Sequence, residues 1–133
     1  MNIQKTMGNF FSNACYAYCI AWLFSEEKLR KDIKLLTSLV LTAWNLGYLE
    51  DDAYVVKPVN FANMVSGEDI YKDVKKVKIS SLSELPDGYY PVQYSLGNSS
   101  HFVICDKRGV VFDPWENSEH VKNGKPTSYR LYI

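Results

Sequence analysis

Cysteine and histidine are scarce in this chain, and neither sign of charge is in excess. Its 133 residues include three cysteines and two histidines. An odd cysteine count with no close C-x-x-C pair argues against a disulfide framework or a zinc ribbon and fits a reducing compartment, which we read as the cytoplasm. Fifteen basic residues balance fifteen acidic ones, so no net field draws the protein to nucleic acid or to an anionic membrane. Long apolar runs are missing too. The one uninterrupted stretch, Ala14 to Phe24, is about eleven residues, short of the roughly twenty that cross a bilayer. Lys5 before it imitates the start of a secretion signal, but Ser12 and Asn13 interrupt the apolar run and no small-x-small cleavage site follows Phe24. Repeats, linkers and low-complexity segments are likewise absent.

Apolar residues make up 47% of the chain, enough for one domain, residues 1–133, to bury its own core. Ten tyrosines and three tryptophans suit a dense core or a groove for an extended ligand. Asn13 is a natural N-cap, and Cys15, Tyr18, Cys19, Trp22 and Leu23 recur at the spacing of one helical face, predicting a buried helix over 14–24. The period of Leu29, Ile33, Leu36, Val40 and Ala43 predicts a long amphipathic helix from Ser25 to Gly47. The segment Ala53 to Val59 is β-branched, and one or two helical turns follow over Phe61 to Val65. Thereafter β-rich runs at 74–79, 89–94, 101–105, 110–113 and 128–133 alternate with turn residues. Helices first and antiparallel strands afterwards predict an α+β domain, with the helices on one side of the sheet.

An imidazole-dependent mechanism has two candidates. His120 lies in the polar run Glu116 to Glu119, where a solvated surface role is the expectation. His101 opens a strand directly after the polar loop 97–100, which puts its ring at the rim of the sheet. If Asp106 to Gly109 form a three-residue loop with Gly109 left-handed, Val103 faces Asp113, and His101 and Asp113 become diagonal neighbours on one face. A two-residue loop would separate them. Asp113-Pro114 otherwise reads as the start of a turn.

A histidine oriented by a carboxylate calls for a nucleophile. Capped by Asn13, Cys15 falls at the second position of the first helix, where unpaired N–H groups and the helix dipole favour a thiolate; the bland alternative is core filler. Cys19, a turn deeper, and Cys105, inside an apolar strand, read as packing. A four-ligand zinc site from Cys15, Cys19, His101 and Cys105 is ruled out by geometry, because residues four apart on a strand are about 13 Å apart. Three of those ligands around one ion stay open as the lesser alternative. We expect no metal and no cofactor.

The segments NACYAYC, SHFVICDKRGVVFDPW and VKNGKPTSYRLYI resemble papain-like cysteine peptidases of the compact bacterial type, similar to the peptidase domains of bacteriocin exporters. They also resemble a family of short bacterial and phage proteins. The resemblance implies a papain-like fold and hydrolysis of a peptide or related amide bond through a thioester. It implies Cys15 as nucleophile, His101 as general base and acid, and Asp113 as the group orienting the imidazole. It also implies an oxyanion hole built from the cysteine's backbone N–H and a glutamine about six residues upstream. Asn9 stands at that position, with Gln4 farther away and Asn13 nearer. Tyr16 replaces the usual glycine after the cysteine. Trp115 and Tyr94 are the expected walls of the substrate groove. The alternative is a papain-like binding module that kept the fold without turnover.

Overall fold

The computed structural model describes residues 13–116 and 118–133. Among the described residues four α-helices and five strands follow in the order α1 (Cys15–Phe24), α2 (Ile33–Asn45), α3 (Pro58–Ser66), β1 (Val74–Lys78), β2 (Tyr90–Leu96), β3 (Ser99–Asp106), β4 (Gly109–Phe112), α4 (Glu119–Asn123) and β5 (Lys125–Tyr132). The strands form one antiparallel sheet in the order β1-β5-β2-β3-β4. The fold class is α+β.

Helix α1 starts one residue later than its sequence suggests. Ala14, not Asn13, is the N-cap, and no side chain caps the first turn. Cys15 therefore occupies the first helical position, where its N–H has no acceptor within the helix. The expected single helix from Ser25 to Gly47 is broken. Ser25 is extended, and its hydroxyl bonds back to the Ala21 carbonyl. Arg30 donates to the carbonyls of Trp22 and Leu23 at 2.8 Å each, satisfying the end of α1. A 3₁₀ turn over Glu27–Leu29 then leads to Asp32, whose carboxylate accepts from the N–H groups of Lys34 and Leu35 and starts α2. Local capping has overridden a continuous apolar period. Helix α3 begins at Pro58, inside the stretch read as β-branched, and Pro at a first helical position is well suited to it.

Side-chain alternation gives the sheet two buried faces. Helices α1, α2 and α3 cover one, where Ile20, Leu36, Val40, Phe61 and Ile104 are fully buried. On the other, Leu85, Val92, Val103, Cys105 and Tyr129 form a second core, with Val121 of α4 packed against it. The helices thus fall on both faces, because the short α4 closes the side opposite the three longer ones.

The β3–β4 hairpin carries the register on which the site depends. Asp106 pairs with Gly109 and Cys105 with Val110, so the loop has two residues, not three. Gly109 takes φ 156°, close to extended and far from the left-handed helical region. Continued without a break, this ladder would place Asp113 opposite Phe102, on the wrong face for His101. A bulge shifts the register so that Ile104 pairs with Phe112, leaving Val111 as the extra residue. The next step sets Asp113 beside Val103 and on the His101 face. The expected juxtaposition is reached by a different backbone device.

Two further boundaries differ from the sequence reading. Residues 97–100 are a tight hairpin rather than a loop, since β2 runs to Leu96 and β3 begins at Ser99. His101 is consequently the third residue of its strand. Strand β5 starts at Lys125, because Gly124 sits within 2.5 Å contacts (from a Cβ built on it) of the His120 and Ser95 carbonyls, a crossing that only glycine allows.

Candidate active site

Four elements converge at the start of α1. Beyond the Ile104–Phe112 pair β4 ends, so the outer edge of β3 is left without a strand partner. The Phe102 N–H there donates to Cys15 Sγ at 3.5 Å. Cys15 is half-buried, and it lines the same cleft as the His101 ring, close enough for the sulfur to help raise the imidazole's pKa. His101 Nε2 lies 2.7 Å from Asp113 Oδ1, which leaves Nδ1 as the nitrogen able to face the thiol. Asp113 is itself anchored, because Oδ1 accepts from Trp115 N–H at 2.9 Å and Oδ2 from Ser118 N–H at 3.1 Å. Sulfur, imidazole and carboxylate thus form one chain, and the turn after β4 fixes its far end.

The electrostatics follow from that chain. His101 is 1% exposed, and burial alone would push its pKa down. The hydrogen bonds to Asp113 and Cys15, together with their negative charge, outweigh burial and raise it from 6.5 to about 9. Burial would raise Asp113, but bonds from His101, Ser118 and Trp115 lower it to about 2. An imidazolium backed by a carboxylate is therefore the favoured charge state of the His101–Asp113 pair at neutral pH. Cys19 and Cys105 are fully buried. Burial pushes the Cys19 thiol well above its ordinary range, and that of Cys105 up to about 12, so both stay protonated packing groups.

A cleft of about 540 Å³ opens over this chain, between the start of α1, the segment leading into α3 and the sheet. Cys15, His101, Asn13 and Trp115 line it. The Trp115 ring meets His101 edge-on at 5.5 Å, so this tryptophan borders the site as expected. Tyr94 does not. It is 6% exposed and belongs to the second core, because alternation along β2 turns its ring away from the face on which Gln93 lines the cleft. Asn9 and Gln4 lie outside the described residues. Tyr16, in the position expected to be glycine, stacks on Phe102 at 4.5 Å and shares a hydrogen bond with Tyr132 Oη.

Three features escaped the sequence reading. His120 sits on α4 rather than in a loop; it is partly exposed, its Nε2 is 2.7 Å from Ser99 Oγ, and its ring is 5.6 Å from that of His101. Burial and the neighbouring imidazolium lower its pKa. The Phe102 N–H is a backbone donor with no residue-type signature. On the helix-facing side of the sheet Arg130 donates to Ser128 Oγ at 2.9 Å and to Gln93 Oε1 at 3.3 Å, and it packs over the Phe102 ring. Alternation along β5 marks Arg130 as facing opposite to Tyr129 but gives no hint of what it meets. Among the described residues no group of three or more His, Cys, Asp or Glu side chains is placed to hold a metal ion, and no helix is long and apolar enough to cross a membrane.

The fold and site define an α+β domain with a cysteine, a histidine and an aspartate gathered at the mouth of a cleft. Residues 2–133 match the family described as "Protein of unknown function, DUF261", and the chain belongs to that family. Comparison with curated proteins and with solved structures gives no match.

Proposed function

We propose that this protein is a papain-like cysteine hydrolase that cleaves a peptide or related amide bond through a Cys15–His101–Asp113 triad. The observation that carries the reading is the His101–Asp113 pair, 2.7 Å apart at Nε2, with the His101 ring lining the same cleft as the half-buried Cys15 thiol. In the reactive ion pair the proton from sulfur already resides on His101 Nδ1, and the Phe102 N–H supports the charge left on sulfur. The thiolate attacks the acyl carbon, and the tetrahedral oxyanion takes a hydrogen bond from the Cys15 N–H at the open end of α1. His101 then gives its proton to the departing amine, leaving a thioester. Water, deprotonated by the same ring, hydrolyses the thioester and frees the thiol. Asp113 keeps the imidazole in the tautomer that this sequence requires.

The test is iodoacetamide labelling of Cys15 at pH 6, followed by intact mass. Wild type should react about a hundredfold faster than His101→Ala, and Cys15→Ala should take up no label in the folded state. Equal rates in wild type and His101→Ala would reassign the chain to a papain-like binding module without turnover.

A further inference from the structure

The cleft over Cys15 is lopsided in charge. Two permanently charged side chains line it, Lys76 and Arg130, and none of the described lining residues is a carboxylate. The two are cross-strand partners, Lys76 on β1 opposite Arg130 on β5, so they project from the same face of the sheet. Arg130 is held in place rather than neutralised. Two of its donors go to uncharged oxygens, on Ser128 and Gln93, and its guanidinium rests on the Phe102 ring at 5.0 Å. Among the described residues no Asp or Glu forms an ion pair with Arg130 or Lys76. A guanidinium has five N–H donors in a fixed fork, so three remain for a ligand. Phe102 also connects the two ends of the cleft, because its ring carries Arg130 while its backbone N–H touches Cys15 Sγ.

We infer that the Arg130 end of the cleft, with Lys76 at its rim, is a carboxylate-binding subsite, so that the amide processed at Cys15 belongs to an acid-bearing peptide. A half-buried, preorganised guanidinium recognises a planar carboxylate in two-pronged fashion, and the exposed ammonium adds long-range attraction. The carboxylate belongs to a free peptide C-terminus or to an acidic side chain. The substrate class rests on the hydrolase reading above.

Two matched pairs of alkylating probes test the subsite on the full chain. N-Iodoacetylglycine against N-iodoacetylglycinamide presents a terminal carboxylate, and N-iodoacetylglutamate α-amide against N-iodoacetylglutamine α-amide presents a side-chain one. In at least one pair the acid should alkylate Cys15 about tenfold faster than its amide, and the pair showing this identifies the source. Arg130→Met should lower the acid-to-amide rate ratio from about ten to about one. Should that variant fold poorly by circular dichroism, Arg130→Gln, which retains a donor for Ser128, replaces it. Equal rates within both pairs, or an acid preference that survives loss of Arg130, would overturn the subsite. Failure of the hydrolase reading looks different: both amide probes would then react at pH 6 no faster than with N-acetylcysteine, whatever the acids do.

Discussion

The first turn of α1 leaves Cys15 half-buried, near the His101 ring and touching a backbone N–H, whereas the next turn seals Cys19 completely among Tyr18, Ile20 and their neighbours. Both residues carry the same thiol on the same helix. At Cys19 burial penalises the anion and nothing offsets it, so the thiol stays protonated. Cys15 instead sits at the first helical position, on the cleft that the His101 imidazolium also lines, and its sulfur accepts an edge-strand N–H. One turn of helix, about 5.4 Å, separates a half-buried thiol from a sealed one, and what differs is the access of partners rather than the residue.

The sharpest way to break this contrast is to exchange the outcome of substitution at the two positions. Cys15→Ala should erase alkylation of the folded protein, and Cys19→Ala should leave the labelling rate at Cys15 within about twofold; mass-mapped label at Cys19 in the native state would end the comparison. A smaller effect tests the support behind Cys15. Asp113→Asn should slow its alkylation about tenfold, because a preformed thiolate depends less on the orienting group than a serine hydroxyl does. The same substitution should move the His101 ring titration, followed by NMR, from about 9 to below 7. The linkage has a definite sign. His101, raised from 6.5, stabilises the fold fully below pH 6.5 and loses that contribution as pH climbs through about 9. Asp113, lowered from 3.8, contributes above pH 3.8 and loses it as pH falls through about 2. Denaturant midpoints should therefore be highest between those limits in wild type, with a flatter profile in Asp113→Asn. The smallest effect is on stability alone. Cys19→Ser should cost about 1–3 kcal/mol by burying a hydroxyl, and Cys15→Ser less than about 0.5 kcal/mol, both read from urea unfolding.

The strands were legible because β-branched residues and turn punctuation recur at short intervals, and the approach of His101 to Asp113 was legible because strand alternation limits which residues share a face. What stayed hidden has physical reasons. The break between α1 and α2 is made by Ser25, Arg30 and Asp32 bonding to backbone groups, and that competition leaves the apolar period untouched. Tyr94 was misplaced because side chains opposite each other in a ladder share a face, and His101 reaches the site from the rim while Tyr94 stays beneath it. His120 and Arg130 find their partners across the fold, Ser99 and Gln93, which no local window contains.

The bulge in the β3–β4 hairpin has one more consequence. Val110 and Val111 are identical neighbours, so losing either yields the same shorter chain. That chain would close an unbroken ladder from the Asp106–Gly109 pair and still bring Asp113 opposite Val103. The spare valine is therefore dispensable for parity, the odd or even count that decides which face a strand residue occupies. What it adds is bend, since a bulge kinks and twists its strand. The hairpin separates two instructions that a regular strand would merge: the count aligns Asp113 with His101, and the surplus residue aims it.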